Sequence, residues 1–273
     1  MYTNKVKKKD RAAEIIRENQ KRFRCPICSG DMTIKGFYSL VCGSNHSFDI
    51  SRKGYLNMLT SPCNIVYPKE LFEARHKVCE EGFYDQLIDK IINTIEKYKK
   101  SQEDKKELTI LDAGCGEGSH LYRMSQRIKK DLKYNLFGVD ISKEGINIAS
   151  NNSSDVIWTV ADLTRLPFQN RSFDVVLNIL SPANYLEFDR ILNGEGIIIK
   201  VVPGQLYLQE LRQAIYKNKK YSNDKVVDYF TSKLEVVHVE NISYKFSIDD
   251  ELLPILIKMT PLTWGRMLKE GTI

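Results

Sequence analysis

The chain has 273 residues, 42% apolar and 28% charged, with 15 Gly and 8 Pro, enough apolar material for one large domain and a small one. This composition excludes collagen-like and disordered architectures. With no run of about 18 apolar residues and no apolar segment behind the basic start, a soluble, cytoplasmic chain without a membrane span is expected.

The net charge of +6 is unevenly placed: residues 1–24 hold nine bases (Lys5, Lys7, Lys8, Lys9, Arg11, Arg17, Lys21, Arg22, Arg24) against Asp10, Glu14 and Glu18, so the rest is neutral overall. Residues 1–24 are therefore expected to form a basic arm, helical over 11–20. Such an arm suits attraction to a polyanion through counterion release, and equally suits a solvated, frayed terminus.

Residues 25–60 are short extended runs (32–34, 38–41, 47–50) broken by Gly30, Gly36 and Gly43. They are too few to bury a core without a staple. Cys25, Cys28, Cys42 and His46 supply one, in the pattern C-x2-C-x13-C-x3-H. Zinc takes thiolate and imidazole ligands tetrahedrally, and each short clip wraps one ion through a tight turn. With all four positions filled by protein, the metal is expected to be architectural. Bases and aromatics around it (Arg24, Lys35, Phe37, Tyr38, Arg52, Lys53, Tyr55) could hold phosphates and stack on unpaired bases, or simply form the exterior of a zinc ribbon. The spacing argues for a metal rather than disulfides in an unsecreted chain.

Residues 61–107 read as a helical connector, with helices over 70–80 and 84–98 and a polar stretch, KYKKSQEDKKE, at its end. Residues 108–273 alternate apolar runs with amphipathic ones. Strands are predicted at 109–112, 135–140, 156–160, 173–179 and 196–202, and helices at 119–130, 143–151, 184–192 and 205–218. The order predicts an α/β, Rossmann-like, doubly wound and mostly parallel sheet. The tail predicts one or two strands over 234–247 and a helix over 249–259.

The loop LTILDAGCGEGS follows the first strand and carries Asp112, Gly114, Gly116 and Gly118. Its spacing departs from the dinucleotide pattern G-x-G-x-x-G, because Ser119 takes the third glycine's place. That favours S-adenosylmethionine (SAM) over NAD, since no pyrophosphate need be neutralised. Asp140, 28 residues after Asp112 and followed by Ile141, ends the second strand, where a carboxylate can accept both ribose hydroxyls. Asp162 and Leu163 follow the third strand, beside the expected adenine. Asn178, Ser181 and Asn184 lie at and after the fourth strand, on the expected methyl-acceptor side, and are candidates to line that pocket; a plain helix cap is the other reading.

These stretches together resemble the 23S rRNA (guanine-N1)-methyltransferase family, the RlmA family. The likeness rests on Cys25-Pro26-x-Cys28, Cys42 through His46-Ser47-Phe48-Asp49 and Gly54-Tyr55-Leu56-Asn57-Met58-Leu59. It continues through Glu73-Ala74-Arg75, Gly82-Phe83-Tyr84, the glycine loop, Pro203-Gly204, and Met259-Thr260-Pro261 with Trp264. The resemblance implies a class I methyltransferase whose zinc domain recognises a 23S rRNA hairpin, methylation of a loop guanine at N1, and commonly a homodimer. It places cofactor contacts on Tyr84, Ser119, His120 and Tyr207, the last standing where a relative carries histidine. Residues 179–184 depart from an Ala-Pro-Cys pattern in relatives, and residues 1–23 extend beyond the usual start. Two other functions fit the same fold: a small-molecule methyltransferase with a purely structural zinc module, and a non-catalytic RNA-binding relative. The zinc and cofactor modules are expected to be separable, so that Cys25→Ser unfolds the first while the second still binds SAM.

Overall fold

The computed structural model describes residues 7–62, 67–102, 105–128, 133–153, 155–215 and 222–260. Its centre is a six-stranded sheet in the order β4-β7-β6-β5-β8-β9. The strands are β4 (Leu56–Asn57), β5 (Glu107–Ala113), β6 (Lys133–Asp140), β7 (Val156–Val160), β8 (Phe173–Ile179) and β9 (Leu192–Val201). Every pairing in it is parallel. Parallel strands need crossovers and are covered on both faces, hence their near-continuous apolar runs.

Side-chain alternation sends the two sets of apolar residues to opposite faces. Leu108 and Ile110 of β5, Leu136 of β6 and Val175 and Leu177 of β8 face one way. There they meet α2 (Lys69–Glu80), α3 (Asp85–Lys100), α4 (Ser119–Arg127), α5 (Lys143–Asn152) and, further along the chain, α9 (Leu252–Met259). Leu111, Phe137, Ile157 and Val176 face the other way, toward α6 (Tyr185–Ile191) and the N-terminal residues.

That second face corrects the expected arm. Residues Lys8–Asn19 form α1, and Ala12, Ala13, Ile15 and Ile16 are buried with Phe137 and Ile157 in one cluster. A four-ring stack closes it: Phe23 lies 6.1 Å from Phe137 and 5.6 Å from Phe168, and Phe168 lies 5.0 Å from Phe173, centroid to centroid. Part of the basic charge is spent on the protein itself. Lys8 donates to the Asn151 carbonyl at 2.7 Å and Arg11 pairs with Asp155 at 2.8 Å. Burial of this apolar stripe outweighs the solvation its charged neighbours would gain in a free arm.

The metal-binding segment adds an antiparallel sheet of β1 (Met32–Lys35), β2 (Ser39–Cys42) and β3 (Ser47–Asp49). Its Met32, Leu40 and Phe48 belong to the same cluster as α1 and the large sheet. The chain then runs directly into β4, whose Leu56 and Asn57 pair with Thr159 and Val160. The expected boundary after residue 60 therefore falls beyond a strand of the large sheet, and the separable modules of the sequence reading share one core.

The other strands fall where the patterns place them, with two differences. β9 begins at Leu192, four residues earlier than expected, with an irregularity in its pairing between Phe173 and Val175. Residues 234–247 form no strand; the segment is held instead by Tyr244, which donates to the Phe83 carbonyl at 2.7 Å, and by Phe246, 5.3 Å from the Phe83 ring. Two further helices, α7 (Gln209–Ile215) and α8 (Asp224–Thr231), follow β9. No helix among the described residues is long and apolar enough to cross a membrane. Pro261 and Trp264 lie outside the described residues.

Candidate functional site

The four predicted metal ligands come together. Cys25, Cys28, Cys42 and His46 place one ligand atom each, all within 4.8 Å of one another. Cys25 Sγ is 3.5 Å and Cys42 Sγ 3.4 Å from His46 Nδ1, and Cys28 Sγ is 3.6 Å from Cys42 Sγ. With zinc–sulfur bonds of about 2.3 Å and zinc–nitrogen bonds of about 2.0 Å, tetrahedral ligand atoms stand about 3.5 to 3.8 Å apart, so the donor set fits a zinc ion. Two hairpin-like turns build it. The Ser29 amide donates to the Cys25 carbonyl at 2.9 Å, and the Asn45 amide to the Cys42 carbonyl at 2.9 Å. Ser29 and Asn45 themselves take positive φ, 63° and 62°. Three cysteines and a histidine leave no open coordination position, as an architectural metal requires.

At the carboxyl edge of the large sheet, the glycine loop turns from β5 into α4. Gly114, Gly116 and Gly118 have φ of 84°, 57° and 76°, the left-handed region that glycine enters without penalty. The loop is pinned to β6: the amides of Gly114 and Cys115 donate to the Val139 carbonyl at 2.8 and 3.0 Å. The three glycines serve different neighbours. A Cβ on Gly114 would stand 1.8 Å from Ser181 Oγ, whereas one on Gly118 would strike Trp158 at 2.5 Å. Gly118 is thus required by packing beneath the loop, and Gly114 by the approach of the acceptor-side turn.

Three acids line this cleft. Asp112 is buried with neither carboxylate oxygen hydrogen-bonded among the described residues, and burial pushes its pKa up to about 8. Asp140 accepts from the Gly116 amide through Oδ2 and the Ser142 amide through Oδ1, each at 2.8 Å, and the Ile141 amide also points at it. Burial raises the pKa of both Asp140 and Glu117. Orphaned buried acceptors beside a glycine cradle fit a ligand carrying positive charge and hydroxyls, which is the chemistry of SAM. Leu163 reaches within 3.7 Å of the Gly114 Cβ position, and Asp162 turns its own loop by accepting from the Thr164 amide at 2.8 Å.

Three of the residues placed by resemblance, Tyr84, His120 and Tyr207, touch one another in series. Tyr84 and Tyr207 share a hydroxyl hydrogen bond of 2.9 Å, and the Tyr84 ring meets His120 edge-on at 4.8 Å. Burial pushes the His120 pKa down to about 4, so the imidazole is neutral, and its Nε2 has no partner among the described residues. Ser119 Oγ bonds His76 Nδ1 at 2.9 Å.

The acceptor-side candidates divide. Asn178 is 0% exposed, and its amide donates to the carbonyls of Ala113 at 2.7 Å and Pro182 at 2.9 Å; it is a keystone of the turn rather than a lining group. Asn184 caps α6, accepting from the Glu187 amide at 3.3 Å, in agreement with the helix-cap reading. Ser181 stands against Gly114. Sequence reasoning missed Lys200, whose ammonium bonds Asn178 Oδ1 and, at 2.6 Å, the Ser181 carbonyl. Burial pushes its pKa down to about 8. The signal was a lone lysine in the apolar run GIIIKVV.

Comparison with known proteins agrees with this geometry. Residues 23–62 match the family described as "RlmA, N-terminal", a zinc ribbon, and residues 110–193 match "Methyltransferase domain". YxjB of Bacillus subtilis (strain 168), assigned as a 23S rRNA (guanine-N(1)-)-methyltransferase, is 44% identical over 248 residues, 89% of this chain and 87% of its own length. The 23S rRNA (guanine(748)-N(1))-methyltransferase of Streptomyces fradiae is 26% identical over 91% of this chain and 88% of its own length. A likeness of that identity and span, joined to the zinc ribbon and the SAM-type cleft, places the chain in the 23S rRNA (guanine-N1)-methyltransferase family.

Proposed function

We propose that the protein transfers a methyl group from SAM to N1 of a guanine in a 23S rRNA hairpin loop. The observation that carries this reading is the likeness to 23S rRNA (guanine-N1)-methyltransferases over 89% of this chain, zinc ribbon included. A methyltransferase core alone serves many substrates.

SAM supplies an electrophilic methyl on a sulfonium when bound. The chain's own work is alignment and exclusion of water. In this reading Asp140 takes the ribose hydroxyls and Asp162 and Leu163 flank the adenine. Asp112 and Glu117 suit the positive charge of the methionyl end, and Tyr84, Ser119, His120 and Tyr207 wall that side. The turn at Ser181, held by Lys200 and Asn178, presents the acceptor opposite the loop. Guanine N1 carries a proton at neutral pH that must leave as the new bond forms, and its edge must be unpaired, which a loop nucleotide provides at low cost. The zinc segment, with Lys35, Arg52 and Lys53, grips the stem, and the active unit is a homodimer in the cytoplasm.

The test maps reverse-transcription stops on 23S rRNA from cells with and without the gene, because a methyl on N1 blocks pairing. A stop at one loop guanine that vanishes on deletion is expected. Unchanged stops, with methylation by the purified enzyme of a free metabolite instead, would overturn the reading.

A further inference from the structure

Helix α2 lies across the outside of the glycine loop, and two residues one turn apart face it. Phe72 and Arg75 are the side chains nearest a Cβ placed on Gly116, at 3.8 Å (Cε1) and 3.7 Å (Nη1) respectively. The half-buried guanidinium of Arg75 makes no hydrogen bond or ion pair among the described residues. Its charge nevertheless acts on four groups around it, Glu117, Asp140, His120 and Tyr84. Five donors in a rigid fork, unspent among the described residues and held 3.7 Å from the Cβ position of a loop glycine, match a planar carboxylate.

The surroundings narrow the ligand. The flanking acids, Asp140 and Glu117, disfavour a phosphate or other polyanion. The N-terminus of α4, which follows the loop directly, adds the positive dipole end that favours a single anion. Asp112, which interacts electrostatically with Asp140 and Glu117, has two carboxylate oxygens without a partner among the described residues. A cation for a carboxylate and an acid for an ammonium together describe an α-amino acid zwitterion.

We propose that Arg75 binds the α-carboxylate at the methionyl end of the cofactor and so selects an amino-acid-bearing nucleoside over the bare thioether nucleoside. The inference rests on the SAM reading of the cleft. Its test is calorimetric titration of the zinc-loaded full chain with two probes: S-adenosylhomocysteine, which carries the aminocarboxypropyl group, and 5′-methylthioadenosine, which lacks it. Arg75→Gln should weaken S-adenosylhomocysteine about 10- to 100-fold, as loss of a charge-assisted hydrogen bond does, and leave 5′-methylthioadenosine unchanged. Arg75→Lys should recover part of the loss. Equal weakening of both probes, or none for S-adenosylhomocysteine, would overturn the assignment while leaving the cleft as the cofactor site. Wild-type protein that binds neither probe would overturn the cofactor reading and this assignment with it.

Discussion

The indole of Trp158 fills the space beneath Gly118, so that a Cβ at that glycine would stand 2.5 Å from the ring's Cη2 and 2.7 Å from the Ala149 Cβ. The loop's third glycine thus answers a packing demand from β7, combined with a φ of 76°. Gly118→Ala should destabilise the fold by about 3 kcal/mol, from the left-handed strain and the overpacking together. Urea unfolding measures it. Pairing it with Trp158→Leu should show a coupling of at least about 0.5 kcal/mol, and strict additivity would count against direct contact.

Lys200 satisfies two acceptors of the acceptor-side turn. Lys200→Met leaves the Asn178 oxygen without its donor in a fully buried residue, a loss of about 1 to 3 kcal/mol. Because the turn rather than the cofactor wall is disturbed, kcat for RNA methylation should fall while the S-adenosylhomocysteine Kd stays constant. An equal fall in cofactor affinity would show that the turn also shapes that wall.

The cleft's buried acid and imidazole oppose one another as pH changes. His120 is held near 4, below its ordinary 6.5, so between those values the unfolded chain binds more protons and stability rises with pH. Asp112 is held near 8, above its ordinary 3.8, so across that window the folded chain binds more protons and stability falls with pH. The two effects offset one another from about pH 4 to 6.5. From 6.5 to 8 the acid acts without that counterweight, with a limiting slope of about 1.4 kcal/mol per pH unit. Denaturant midpoints of the cofactor-free protein should therefore drop between pH 6.5 and 8, and Asp112→Asn should flatten the decline.

Metal removal should reach beyond the small sheet. Met32, Leu40 and Phe48 share a cluster with α1, Phe137 and Val176, so chelation or Cys25→Ser should raise amide exchange in β5 and β6 as well as in β1–β3. Exchange protection in the large sheet that survives chelation would restore the separable modules of the sequence reading.

The parts legible in the sequence were those with local signatures. Ligand spacing located the Cys–His cluster, and strand–acid–glycine order located the left-handed glycine turn between β5 and α4, because both depend on neighbours close in the chain. What escaped depended on distant partners. The stripe Ala12, Ala13, Ile15 and Ile16 was hidden among lysines and arginines, and only its packing on Phe137 and Ile157 turns an arm into a helix of the core. Leu56 and Asn57 make too short a strand to show a period, and they become one by pairing with β7. Residues 234–247 have strand-like composition yet no ladder, since strand propensity reflects fitting a neighbour more than backbone preference. Asn178 looked like a lining residue from its place at the end of the fourth predicted strand, β8, and its hydrogen bonds assign it to scaffolding.

The short β4 joins metal-bearing segment and catalytic sheet by backbone hydrogen bonds, with Met58 adding its amide to the Val160 carbonyl at 2.9 Å. Two segments fused in this way cannot swivel about one another, so the span from the metal cluster to the glycine loop is a fixed gauge. Any molecule that touches both must itself match that length or deform to it.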